Sequence, residues 1–205
     1  MTAAAFWDKA APRYARRPIS DEAAYESTLA RTKSYLSASA TALELGCGTG
    51  TTALRLAPFV REYTATDISG AMIEIAKEKR WETSQRNLSL RQGGVAPGDY
   101  FGESYDTVLA FNLLHLVPDL AETLDMVNGL LPVRGLFISK TPAVGEKWVY
   151  RPLVTVLRAF GKAPDVTFLK VSQIDHALVA AGFELVETGL YPPSTPSRFV
   201  VARKR

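Results

Sequence analysis

Three glycines at alternate positions, Gly46, Gly48 and Gly50, in the run Glu44-Leu45-Gly46-Cys47-Gly48-Thr49-Gly50 constrain this chain more than any other feature. The apolar stretch Ala42 to Leu45 reads as a strand and Thr51 to Pro58 as a short helix. The glycines therefore form a strand-to-helix turn whose backbone a ligand can approach closely. A second strand, Tyr63 to Thr66, ends beside Asp67. That places a carboxylate about 20 residues past the first glycine, where it can accept hydrogen bonds from two ribose hydroxyls. A glycine turn followed by such an acid describes a nucleotide-type pocket.

The rest of the chain supplies the frame for that turn. Phe6 to Tyr14 and Ala23 to Leu36 are apolar at helical spacing, with Asp21 as a cap for the second and Pro18 in the link. Strands and helices then alternate: a helix from Ser69 to about Thr83, strands Leu88 to Gln92 and Tyr105 to Phe111, a helix Leu120 to Leu130, and a strand Leu136 to Lys140. Alternation of this kind predicts an α/β three-layer sandwich with a mostly parallel sheet and helices on both faces. Five residues separate the strands Phe183 to Tyr191 and Ser197 to Arg203, too few for a crossover helix, so this last pair is expected to be antiparallel.

Dinucleotide-binding proteins use a related turn, but their G-x-G-x-x-G needs a glycine where Thr51 stands. Glu44 lies just upstream, where its carboxylate is expected to point at the ligand group in the turn, repelling a pyrophosphate and holding an ammonium. A backbone cradle, an acid for an amine and a second acid for a ribose suit S-adenosylmethionine. At these residues the chain resembles the class I (Rossmann-like) S-adenosylmethionine-dependent methyltransferases of small-molecule type. The resemblance continues through Asp67-Ile68-Ser69 with Met72, Ile73 and Ala76; through Ser104 to Asn112 with Leu114-His115; through Leu131-Pro132-Val133-Arg134-Gly135; and through Ala180-Ala181-Gly182-Phe183. It implies a seven-stranded, Rossmann-like sheet of order 3-2-1-4-5-7-6 with strand 7 antiparallel. It also implies S-adenosylmethionine as cofactor and S-adenosylhomocysteine as product.

By the same resemblance, Gly46, Gly48 and Gly50 cradle the methionine portion, Glu44 supports that end, Asp67 holds the ribose, and Ile68 and Met72 flank the adenine. Asn112 and Leu113 line the crevice at the switch point between strands 1 and 4. Cys47 belongs to the turn, where a small side chain is required. The family's acid after strand 3 has no counterpart in Arg91-Gln92-Gly93-Gly94-Val95-Ala96, so backbone atoms of Gly94 and Val95 are expected to meet the adenine amino group. Asp99 either substitutes for that acid or caps a turn. In-line methyl transfer needs alignment and exclusion of water, with a base only for an acceptor that arrives protonated. His115, with an ordinary pKa near 6.5, is the candidate base or else a structural histidine. Tyr14, in Trp7-Asp8-x-x-Ala11-x-x-Tyr14, resembles a lid tyrosine that touches cofactor and acceptor, with Trp7 beside it; Tyr25 and Arg31 are weaker candidates.

The acceptor is less constrained. No [N/D/S]-P-P-[Y/F] stretch follows strand 4, where Asn112-Leu113-Leu114-His115 stands, and a net charge of +3 is modest and spread out. Nucleic acid is therefore not expected. The segment 147–162 carries Trp148 and Tyr150, puts Leu153, Val156, Leu157 and Phe160 on one helical face, and adds Lys147, Arg151, Arg158 and Lys162. It reads either as a lid over a small acceptor or as a surface for peripheral membrane contact. The first reading gives methyl transfer to O, N or S of a small molecule. The second gives a phospholipid headgroup N-methyltransferase, and a non-catalytic cofactor-binding protein is a third alternative. The expected organisation is one methyltransferase domain over 1–205, with a helical lid (1–38), a cofactor-binding core (41–140), a lid insertion (143–170) and a terminal helix with its strand pair (171–205). One cysteine and two histidines exclude an internal disulfide and offer no metal site. With no signal-like start and no run of 18 apolar residues, a cytoplasmic location is expected.

Overall fold

A computed structural model describes residues 2–96, 98–146, 164–191 and 197–205. Seven strands form one sheet in the order β3-β2-β1-β4-β5-β7-β6. They are β1 (Thr41–Leu45), β2 (Glu62–Asp67), β3 (Leu88–Gln92), β4 (Thr107–Phe111), β5 (Leu136–Pro142), β6 (Phe183–Leu190) and β7 (Ser197–Lys204). The first five pair in parallel, and β7 runs antiparallel to both β5 and β6. The expected order and the expected antiparallel final pair are both present.

Period-2 alternation assigns each strand's side chains to two cores. Leu43 and Leu45 face the layer of α5 (Leu120–Leu130) and α6 (Val171–Ala180), where Leu124, Val127, Ile174 and Leu178 are buried. Ala42 and Glu44 face the opposite layer, which holds α2 (Glu22–Lys33), α3 (Thr51–Leu56) and α4 (Gly70–Thr83) with Leu29, Ala53, Leu56 and Ile73. The amino-terminal helix α1 (Ala3–Ala15) lies against α4. Caps fix the starts: Asp21 accepts from Ala24 N, Ser69 from Met72 N and Asp119 from Glu122 N.

The differences from the sequence reading are at element ends. The helix expected through Pro58 stops at Leu56 and tightens into a 3-10 turn over Ala57–Phe59, because Pro58 has no N–H to continue it. The strand expected from Tyr105 starts at Thr107, since Tyr105 N donates to Leu130 O and leaves the ladder. The Trp148 and Tyr150 assignments, and the whole 147–162 segment, lie outside the described residues. Among the described residues no helix is long and apolar enough to cross a membrane.

Candidate functional site

The strand order reverses between β1 and β4, so the turns leaving their carboxyl ends open a crevice. Gly46 lies in the left-handed region (φ +66°), and a Cβ there would stand 2.7 Å from Leu113 Cδ1 on the facing loop. Asn112 takes the same conformation (φ +56°) at the end of β4, a conformation that asparagine tolerates better than most residues. The two turns can therefore close on each other around a cavity of about 830 Å³ of empty space, its open mouth included.

That cavity brings together most of the residues singled out from sequence: Trp7, Tyr14, Gly46, Gly48, Asp67, Ile68, Met72, Gly94, Val95, Asn112 and Leu113. Its one carboxylate among the described residues is Asp67, whose Oδ2 accepts from Gly48 N at 2.9 Å and whose Oδ1 accepts from Ser69 N at 2.9 Å. Burial raises the Asp67 pKa, and the two N–H donors pull against that shift. Each carboxylate oxygen keeps a further acceptor site for a ligand.

Four assignments change. Glu44 lines neither this cavity nor its neighbour; on the α2/α3 face of β1 its Oε2 accepts from Tyr63 Oη at 2.8 Å, and burial pushes its pKa up to about 7. The expected contact between its carboxylate and a ligand ammonium is thus replaced by a charge held beneath the turn. Gly50 also stands away from the cavity. At φ +73° it starts α3, and a Cβ there would lie 2.8 Å from Ala76 Cβ, so glycine serves helix packing. Cys47 faces a second cavity, and burial pushes its thiol well above the ordinary range. His115 has an ordinary pKa near 6.5, but burial lowers it to about 4; its Nδ1 is enclosed with no partner among the described residues, and its carbonyl accepts from Thr167 N at 2.8 Å.

Two of the weaker candidates also resolve. Asp99 accepts from Ala96 N at 3.1 Å, which is the turn-capping alternative. Arg31 donates to Glu187 beside a register shift in β6, fastening α2 to the sheet edge rather than entering the crevice.

Phe111 stands in the cavity wall, as the end of β4 is expected to; sequence reasoning missed Ala3, Gly93, Leu116, Val117 and Pro118 there, and two props behind it. Tyr100 Oη bonds Thr66 Oγ1 (2.7 Å) and donates to Gly94 O (3.0 Å), holding the loop after β3. Asp8 Oδ1 accepts from Ser69 Oγ (2.6 Å) and Ala71 N (3.2 Å), latching α1 onto the start of α4 with Trp7 and Tyr14 over the cavity. Asp8→Ala is expected to speed amide hydrogen exchange in α1 by about tenfold and leave the sheet unchanged, as for local opening. Unchanged exchange would assign α1 to the packing of buried Ala11 alone.

A family model described as a methyltransferase domain matches residues 43–137. The chain is 33% identical over 171 residues to a highly reducing polyketide synthase of a Fusarium species, a match covering 75% of this chain and 7% of the synthase's own length. Among solved structures it is similar to the CurJ carbon methyltransferase, with 25% identity and a TM-score of 0.64 over 82% of this chain and 49% of that one. It shares its fold with the magnesium protoporphyrin IX methyltransferase of Synechocystis PCC 6803 solved with bound SAH, at 19% identity and a TM-score of 0.68 over 89% and 84% of the two chains.

Proposed function

Because the chain belongs to the class I S-adenosylmethionine-dependent methyltransferases, we propose that it methylates a small-molecule acceptor and that the accepting atom is carbon. The observation that carries the cofactor's seat is the cavity between the glycine turn and the β4 loop, with Asp67 as its one carboxylate among the described residues. The residues present fit the group. Asp67 has acceptor capacity left for two ribose hydroxyls, Ile68, Met72 and Leu113 offer apolar walls to an adenine, and Gly94 and Val95 bring main-chain atoms to its edge.

When bound, the cofactor supplies an electrophilic methyl on a sulfonium. Asp67, Ile68, Met72 and Leu113 would hold that group, and the methyl it would supply calls for an acceptor that brings its own electron pair. The chain's task is to align the partners and keep water away. Trp7 and Tyr14 on α1 cover the cavity, and Asn112 stands at its boundary with the second cavity. A carbon acceptor must first lose a proton. His115 is not among the residues lining either cavity and burial lowers its pKa to about 4, so the acceptor this reading calls for is one acidic enough to arrive as its enolate.

Support for carbon comes from the likeness to the CurJ carbon methyltransferase. The test offers purified protein and S-adenosylmethionine carrying a 13C methyl a 1,3-dicarbonyl compound, a phenol, an amine, a thiol and phosphatidylethanolamine vesicles. A new 13C–carbon bond in the dicarbonyl product by NMR is the expected result. Label on oxygen, nitrogen or sulfur would return the acceptor to a heteroatom, and label in the lipid would move the reaction to a membrane surface.

A further inference from the structure

The two edges of the sheet, β3 and β6, are built differently. At the β6 edge the register shifts between Leu185 and Glu187, and Arg31 and Tyr35 both donate to the Glu187 carboxylate. A bulge and a fastened charge blunt that edge against further pairing. β3 has neither. Leu88 to Gln92 pair with Tyr63 to Asp67 in unbroken parallel steps. Tyr63 N donates to Asn87 O and Gly93 N donates to Asp67 O, and in such a ladder every second residue bonds the same neighbour. Asn87, Ser89, Arg91 and Gly93 therefore turn to β2, and the N–H and C=O groups of Leu88, Leu90 and Gln92 turn outward. Among the described residues one of these outward groups is capped: Arg80 Nη1 of α4 donates to Leu88 O at 2.7 Å.

Exposed apolar side chains stand on both faces beside this open edge. Trp81, 86% exposed, follows Arg80 on α4, on the face where Leu88 and Leu90 are buried. Phe101, 94% exposed, lies between Tyr100 and Glu103, both of which the Arg91 guanidinium meets on the opposite face. The strand is also complementary to itself. With a second β3 laid antiparallel about Leu90, the two Leu90 residues exchange both backbone hydrogen bonds, and Leu88 does the same with the partner's Gln92. Leu88 O keeps a second lone pair for this beside Arg80. Ser89 falls opposite the partner's Arg91 in the closer, non-hydrogen-bonded pairs, so no like charges oppose each other. A two-fold pairing of this kind consumes both β3 edges and leaves only the blunted β6 edges, so assembly stops at two copies.

We propose that the β3 edge is a dimer interface, occupied by the β3 strand of a second copy of this chain in antiparallel register about Leu90. Sedimentation equilibrium over a dilution series of the wild type, Ser89→Arg and Ser89→Glu tests it. Ser89 is exposed, so neither substitution disturbs the core of a single copy. The wild type is expected to dimerise. Ser89→Arg places like charges opposite each other twice across the axis and is expected to raise the dissociation constant by about tenfold, whereas Ser89→Glu places an acid opposite Arg91 twice and is expected to lower it by a similar factor. A wild type that stays monomeric throughout the series would overturn the proposal and leave the edge to an extended segment of another protein. A dimer whose strength moves in the same direction in both variants, or in neither, would overturn it as well, because the contact would then lie elsewhere on the surface.

Discussion

Asp67→Ala is expected to lower S-adenosylhomocysteine affinity by at least about a hundredfold, since the carboxylate can accept two ribose hydrogen bonds, each worth about 1.5–3 kcal/mol when one partner is charged. The same carboxylate accepts from Gly48 N and Ser69 N, so the variant also loosens the glycine turn from the end of β2. Asp67→Asn separates the two contributions. It keeps one acceptor oxygen for the backbone but no longer offers a charge, so it should recover turn stability more than affinity. Isothermal titration beside thermal unfolding reads both quantities. Full affinity in Asp67→Ala would remove this residue from the site.

Glu44→Gln is expected to make the protein more stable at neutral and alkaline pH while weakening its hold on the cofactor. The folded-state pKa of Glu44 is raised to about 7 from the ordinary carboxyl value of 4.5, mainly by burial. The folded state therefore binds its proton more tightly than the unfolded state, and the stability this confers is complete below 4.5 and lost as pH rises through 7. At 1.36 kcal/mol per pKa unit, the loss above pH 7 is about 3 kcal/mol, and a glutamine escapes it. His115 works with the opposite sign. Its folded pKa is lowered from 6.5 to about 4, so its contribution is complete above 6.5 and lost as pH falls toward 4. Between about 4.5 and 6.5 the two slopes oppose, which keeps the wild type nearly level. In Glu44→Gln only the histidine slope remains, and urea unfolding should show stability falling through that window. Parallel curves for the two proteins would overturn this account. Cofactor affinity of the wild type should rise with pH through 7, because an ionised Glu44 beneath the turn attracts the cofactor's ammonium.

Much of the frame was readable because local signals agreed. The strand Leu88–Gln92 and the helix Leu120–Leu130 were located to the residue. The crevice was readable too, since the glycine turn, Asp67 and the end of β4 must meet wherever β1 lies beside β4. The direction of Glu44 was misread for an avoidable reason. Leu43 and Leu45 occupy one face of β1, so alternation alone turns Glu44 toward the other. The pKa of His115 could not be read, because it depends on how deeply neighbours enclose the ring. Asp8 was also beyond reach: it acts through Ser69 and Ala71, more than 60 residues away, which only the packed α1 brings close. Gly50 resembled a ligand cradle because its spacing continues that of Gly46 and Gly48. Its constraint comes from Ala76, on a helix that spacing does not report.

The placement of Trp7 has a practical side. Its ring meets Tyr14 edge-on, with centroids 6.3 Å apart at the cavity wall, whereas Trp81 is 86% exposed on α4. Of these two indoles, only Trp7 changes surroundings when the cavity fills, and water already fixes the emission of Trp81. The chain thus carries a built-in optical reporter, and occupancy of the crevice can be followed by its intrinsic fluorescence without any attached dye.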